Sequence, residues 1–390
     1  EQAVDLSLDL RGSLYPLGRF PAIVTHLTEA QRLAQSLGDQ RREGWVALQL
    51  GDCLRQMGRI TDACPLIERA RGLAGTLQDQ ALQLAATQYL GLARYAAGDF
   101  VSAAELLRWV VSSPDRGAGN GFGRTNAGSR TGFLAINLSW LARSLAEQGK
   151  FEEGLAFGRQ GLALVEDVDD PYSLALACIG LGYLHLMRGE FPAAVTALER
   201  AQSATRDRSM ILVELQAVRN LGMAYAYSGR IDEGIRILER ALQDVESRGI
   251  GIQEATVLNL LGEVYLLGGR LDTAVDTGQR ALTVAVERGQ QGEVAVAHRL
   301  LADVALHRER ADLHAAKGHY EAAVELADRL GARPLVARCH LGLGLLHQRA
   351  GRATLAAKAI GRAAAMANEM GMTYWKKLAE DKPKTLTTEI

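Results

Sequence analysis

Proline and aromatic residues are scarce in this chain, and that scarcity narrows the choice of fold. Eight prolines in 390 residues leave room for long uninterrupted helices. With aromatics at only 5%, leucine and alanine carry the apolar load, which favours helix over sheet. Cysteine is rarer still: Cys53, Cys64, Cys178 and Cys339 form no CxxC pair, and each has small and apolar neighbours. They read as buried, reduced thiols of a cytoplasmic protein. Excess charge is missing as well. With 44 basic against 45 acidic side chains the net charge is −1, so nothing pulls the chain toward nucleic acid or an anionic membrane. No signal peptide and no apolar run of about 18 residues is present, so the segment reads as soluble. It opens on Glu1, already inside a helical pattern, which suggests a piece of something longer.

Glycine, by contrast, is plentiful, with 41 residues, and its placement is periodic. A glycine, a polar residue and a bulky apolar residue recur at Gly18, Gly58, Gly98, Gly149, Gly189, Gly229, Gly269 and Gly318, with a weaker copy at Gly351. Most intervals are 40 residues; the exceptions are 51 (Gly98 to Gly149), 49 (Gly269 to Gly318) and 33 (Gly318 to Gly351). Seven residues before this glycine stand Gly51, Gly91, Ala142, Gly182, Gly222, Gly262 and Gly344; five after it stand Ala63, Ala103, Gly154, Ala194, Gly234, Ala274, Ala323 and Ala356. A mid-helix glycine is worth about 0.8–1 kcal/mol less than alanine. Six at one phase are tolerable only if close approach of two helix backbones offsets the loss. The glycine of the triplet supplies the positive φ that ends a helix. Each unit is therefore a helix A, a turn and a helix B. The spacing predicts an all-α, right-handed superhelical solenoid of about nine helix pairs with a roughly 40-residue period. It would span residues 1–372, with a glycine-rich insertion at 112–132, a second at about 309–318, and a capping helix and polar tail over 373–390.

Leu221-Gly222-Met223-Ala224-Tyr225 and Leu261-Gly262-Glu263-Val264-Tyr265 resemble helix A of the tetratricopeptide repeat (TPR), in its long-helix form. Segments such as Asp170–Ala177, Leu266–Asp272, Arg333–Gly344 and Asn368–Trp375 resemble more narrowly the C-terminal TPR regions of large bacterial proteins that carry an adenylate/guanylate cyclase domain and a signal-transduction ATPase domain. The resemblance implies a protein-binding scaffold with a sensor or regulatory role.

Motifs for chemistry are weak by comparison. Gly117, Gly119, Gly121 and Gly123 lack a GK[ST] and follow a helix, so they do not make a phosphate loop. The bland reading of that segment is a flexible connector; the functional one lets Phe122, Arg124 or Arg130 reach a bound ligand. His307, His314 and His319 lack the i, i+4 spacing of metal ligands on a helix, and His340 and His347 lack a third partner. No GxSxG elbow, HExxH or Walker sequence occurs. We therefore expect no catalysis, no cofactor and no metal in this segment.

What remains is the face of the A helices, which lines the concave side of such solenoids. Counting from the Gly182-type position, the slots three and two residues before and one and four after hold Gln49, Asp52, Arg55, Gln88, Arg143, Arg219, Asn220, Asn259, Glu263, Arg299 and Asp303. By the resemblance, Asn220 matches the asparagine with which long-helix TPR proteins such as kinesin light chain clamp a peptide backbone, since an amide pairs with both C=O and N–H. Trp140, Tyr183, Leu92 and Met223 share these slots. The expected partner is a protein or peptide segment, including the parent protein's own domains, and neither nucleic acid nor membrane. The alternative is a structural module that homo-oligomerises through its edges. Either way, these polar residues also have a plain role in solvating an inner surface.

Overall fold

A computed structural model describes the backbone of residues 1–113, 129–206, 208 and 210–385. Within them the chain folds into helices joined by short turns, with no strand. The A helices are α1 (Gln2–Leu14), α3 (Gln40–Gln56), α5 (Gln80–Ala97), α7 (Arg130–Glu147), α9 (Pro171–Arg188), α11 (Ile211–Tyr227), α13 (Gly251–Leu267), α15 (Gln291–His307) and α17 (Arg333–Arg349). Their B partners are α2 (Phe20–Leu37), α4 (Ile60–Leu77), α6 (Phe100–Ser112), α8 (Phe151–Ala163), α10 (Phe191–Thr205), α12 (Ile231–Arg248), α14 (Leu271–Glu287), α16 (Leu313–Arg329) and α18 (Ala353–Glu369), and a single helix, α19 (Thr373–Thr385), follows. Each helix packs on the next in sequence, as in an α-solenoid.

The starts and stops are those that local chemistry dictates. Asp39, Asp79, Asp99, Asp170 and Asp312 each accept a hydrogen bond from the backbone N–H three residues on, the usual N-cap. At the A-to-B turns the glycines have positive φ, for example +80° at Gly58 and +94° at Gly98, where a side chain would be strained. The mid-helix glycines form the A–B seam. A Cβ on Gly222 would lie 2.6 Å from Leu238 and 3.2 Å from the Gly234 carbonyl oxygen, and one on Gly182 would lie 2.6 Å from Leu198. A leucine two turns into helix B thus fills the space that the missing side chain leaves.

One expected turn is misplaced. Gly318 lies inside α16 and is absent from the residues of positive φ. The chain turns earlier, between His307 and Leu313, with Asp312 as N-cap. The expected insertion at 309–318 reduces to a connection two residues longer than the three-residue one between α13 and α14. Tyr320, in the triplet that resembled a turn, instead takes the seam position and packs where a Cβ on Gly342 would sit. Most of the glycine-rich insertion lies outside the described residues.

The second feature is long-range. Helix α3 packs on α13, α5 on α15, α7 on α17 and α9 on α19, so the superhelix closes one turn every five pairs and its second turn sits on its first. The contact is made by the A-to-B turn of one pair against the N-terminus of the A helix five pairs on. A Cβ on Gly251 would lie 2.2 Å from the carbonyl oxygen of Met57, and one on Gly98 would lie 2.6 Å from the amide nitrogen of Gly292. Helix α19 completes the second turn: Phe191 stacks on Tyr227 at 4.6 Å, and Tyr374 meets both rings edge-on at 4.9 and 6.0 Å.

Candidate functional site: the lumen of the superhelix

Because the coil is closed, the concave face of the A helices is the wall of an internal cavity of about 250 Å³. Its lining runs from Tyr15 near the end of α1 to Trp375 in α19. Of the residues expected on this face, Arg55, Gln88, Arg143, Arg219, Asn220, Asn259, Glu263 and Arg299 line the cavity, and all are buried. Gln49 and Asp52 are buried behind it. Asp303 is half-buried and accepts from Tyr320 at 2.5 Å. Arg130 is exposed at the first position of α7, and Phe122 and Arg124 lie outside the described residues. The sequence reading placed these groups on an open groove; winding has turned that groove into a channel.

Three polar clusters lie along the wall or directly behind it. In the first, Asp52 pairs with Arg11 at 2.9 Å and Arg55 at 2.6 Å, while Gln56 donates to the Tyr15 hydroxyl at 2.7 Å. In the second, Glu147 accepts from the hydroxyls of Tyr95 (3.1 Å) and Tyr183. Burial pushes its carboxyl up to about 6 despite those bonds. Arg143 lies in the same cluster, 4.0 Å from the ring centre of Trp140 and donating to Gln216 at 2.9 Å. Burial, with Arg143 nearby, lowers the Arg219 guanidinium to about 10. Glu293 accepts from Thr256 at 2.6 Å and Asn259 at 2.9 Å.

The third cluster is centred on Glu263, which accepts from Tyr227, Arg299 and Arg338. Burial alone would raise its carboxyl; the two guanidiniums overcome that and hold it at about 2. Asn220 donates to the Gln216 carbonyl oxygen of its own helix at 3.0 Å, so its amide N–H group is engaged within α11.

Tyr95, Glu147, Tyr227, Glu293 and Arg338 line the same wall and escaped the sequence reading. The signal for several of them was present. Gln56, Glu147, Met187 and Tyr227 all stand five residues after the small-residue slot, and Gln216, Thr256 and Arg338 six before it. These are the next turns of the same helical face. Away from the lumen, His298 and His319 pair at 2.9 Å between α15 and α16, both lowered by burial. Among the described residues no group of three or more ligand-type side chains could hold a metal ion, and no helix is long and apolar enough to cross a membrane.

A closed coil of paired helices with a polar-lined interior is an α-solenoid. Tetratricopeptide repeat models match residues 214–285 and, in a second form, 138–160 and 175–200, so the chain carries tetratricopeptide repeats in its middle units. Among solved structures it is similar to a Rap protein complexed with competence and sporulation factor (12% identity, 95% of this chain, 99% of that one, TM-score 0.68). It is also similar to the Rap conjugation gene regulator of the plasmid pLS20 in complex with the Phr* peptide (12% identity, 96% and 98%, TM-score 0.56). A Signal Transduction ATPase with Numerous Domains from Pyrococcus horikoshii, with a tetratricopeptide repeat sensor, gives 15% identity over 91% of this chain and 55% of that one. Its TM-score of 0.47 is too low to carry an argument. At these identities the likeness is one of fold. No curated protein matches the sequence.

Proposed function

We propose that this chain is a peptide-binding regulatory module of a larger bacterial signalling protein, that it receives an extended segment in its lumen, and that it performs no chemistry of its own. The observation that carries this reading is the set of buried polar groups, drawn from most of the A helices, that line one internal channel. Desolvating so many polar groups is unfavourable unless they are satisfied, and several are left with an unpartnered atom, among them Gln88 Oε1, Asn259 Oδ1 and Gln253 Oε1. An extended peptide offers N–H groups to such acceptors. The two Rap structures, each described in complex with a factor or peptide, lend the reading support. A ligand that favours one winding of the coil over another would bias the state of attached domains through that difference in affinity.

Of the four tryptophans, Trp140 and Trp375 line the lumen, whereas Trp109 is exposed. Titrating the chain with a synthetic library of blocked pentapeptides should change tryptophan emission for the members that bind, and Trp140→Phe with Trp375→Phe should remove that change while binding by calorimetry persists. A signal that survives in the double variant would place the ligand elsewhere. Multi-angle light scattering tests the rival, structural reading, which requires a stable oligomer without ligand.

A further inference from the structure

Outside the lumen, the convex side carries a groove of about 450 Å³ between α12 and α14. Its floor is apolar, made by Leu242 of α12 and by Leu258, Leu261 and Tyr265 of α13. Thr277 of α14 lines it at the position where α12 carries Ile237, a larger side chain that packs on the core. Charge around the groove is unbalanced. Glu239, Glu246 and Asp276 stand there against Arg280 alone, and Arg280 is already paired with Glu246 and Glu254. Glu239 accepts from the Tyr265 hydroxyl at 2.7 Å. No basic nitrogen of the described residues lies within 4.0 Å of the Glu239 or the Asp276 carboxylate.

The preceding pair shows what is missing. Forty residues back, Tyr265 and Glu239 become Tyr225 and Glu199, joined by the same hydroxyl bond at 2.8 Å. There Arg230 lies over the tyrosine ring at 3.6 Å, with its guanidinium 3.8 Å from Glu199, and Arg236 stands where α14 has Asp276. In the groove the equivalent of Arg230 is Arg270. It stands off at 6.0 Å from the Tyr265 ring centre and reaches to Asp232 at 3.3 Å. A cation position that the chain fills for itself in one pair is left open in the next, with a second carboxylate added beside it.

We propose that this groove docks a partner protein through an arginine flanked by leucine-like residues, its guanidinium lying over Tyr265 between Glu239 and Asp276. A planar guanidinium combines contact with the ring face and hydrogen bonds to carboxylate, and the arginine stem covers apolar surface. The flanking residues rest on Leu242 and Leu258. From Glu239 to Glu246 the rim runs two helical turns, roughly 10 Å, which admits about three extended residues. The site is separate from the lumen, so its failure leaves the lumen reading standing, and the reverse holds as well.

Calorimetry on the full chain tests this with three probes: doubly blocked Leu-Arg-Leu, doubly blocked Leu-Gln-Leu and spermidine. The arginine peptide should bind about fivefold more tightly than the glutamine peptide, the upper range for one exposed ion pair, and added salt should shrink that preference. Asp276→Asn, at an exposed side chain, should remove most of the preference without lowering the melting point. Thr277→Ile, which restores the preceding pair's side chain, should weaken the arginine peptide about tenfold by filling the groove; should that variant melt below the parent, Asp276→Asn alone decides. Binding here should leave the emission of the lumen residues Trp140 and Trp375 unchanged. Equal affinity for the two peptides, a preference that survives Asp276→Asn, tighter binding of spermidine than of the arginine peptide, or no binding at all overturns the proposal.

Discussion

Replacing Glu263 with glutamine tests whether the buried charge cluster holds the coil together. Glu263 sits on α13 and is held by Tyr227 from α11, Arg299 from α15 and Arg338 from α17, so one carboxylate ties four A helices. Two routes give the size of its contribution. Removing one member of a buried ion pair generally costs about 3–5 kcal/mol, because its partner stays buried and unpaired. Independently, a carboxyl held at about 2 instead of the ordinary 4.5 corresponds to roughly 3 kcal/mol at about 1.36 kcal/mol per pH unit. The agreement makes about 3 kcal/mol the expected loss for Glu263→Gln near neutral pH. With an unfolding entropy of roughly 2.1 cal/mol/K per residue over 390 residues, that loss lowers the melting point by about 4 °C if the chain melts in one step. The folded-state carboxyl is depressed, so its contribution is complete above the unfolded value of 4.5 and disappears as pH falls from there through about 2. Urea denaturation of parent and variant at pH 7 and near pH 3 should therefore show a gap that shrinks with acid. A gap below about 0.5 kcal/mol at pH 7, typical of an exposed site, would refute the view that this cluster binds the turns together.

Gly222→Leu should destabilise by about 1–3 kcal/mol or more through overpacking against Leu238, whereas Arg236→Ala, at an exposed side chain, should leave the denaturation midpoint nearly unchanged; equal midpoints would misplace the seam. Gly251→Val drives a side chain into the Met57 carbonyl oxygen. Small-angle scattering should then report a larger radius while the helical circular dichroism is retained, and an unchanged radius would deny that this contact closes the coil. Glu147 has the opposite sign to Glu263. With its carboxyl raised to about 6, the parent should lose roughly 2 kcal/mol as pH climbs from 4.5 through 6, and Glu147→Gln, with no proton to lose, should lack that decline in urea titrations.

The helix pairs were legible because their signals are local. A glycine of positive φ closes eight of the nine A-to-B turns, and a small residue stands at the seam of every pair after the first, whatever the neighbouring pairs do. The error at Gly318 arose because Gly318-His319-Tyr320 imitates the turn triplet, while the true turn before Asp312 contains no glycine. Counting back one helix length from Gly331 would have found it, since Ala316 and Ala323 then fall where α14 has Ala274 and Ala281. The lumen was half legible. Helical phase identified Arg143, Arg219, Asn259 and Arg299 as inward-facing, but whether the inner face is an open groove or a closed channel depends on the small rotation between successive pairs. That rotation accumulates over five pairs, and no short segment encodes it. Gly251 and Gly292 are a local trace of it, each a glycine at a helix start that meets the A-to-B turn five pairs earlier.

The turn-on-turn contact changes how the molecule should respond to damage. A simple stack of repeats can fray from either end, since each unit depends only on the one before and after. Here the pair containing α5 also rests on the pair containing α15, so the coil is less like a row of dominoes than like a rolled sheet whose layers are glued. Loosening an end pair must also lift it off the layer beneath, which makes fraying steeper and ties the two ends of the chain to its middle. Assembly has the converse burden: those layers bring together residues about two hundred positions apart, and such distant closures are the slow ones. The first turn has to wait, half-built, for the second to arrive and finish its wall.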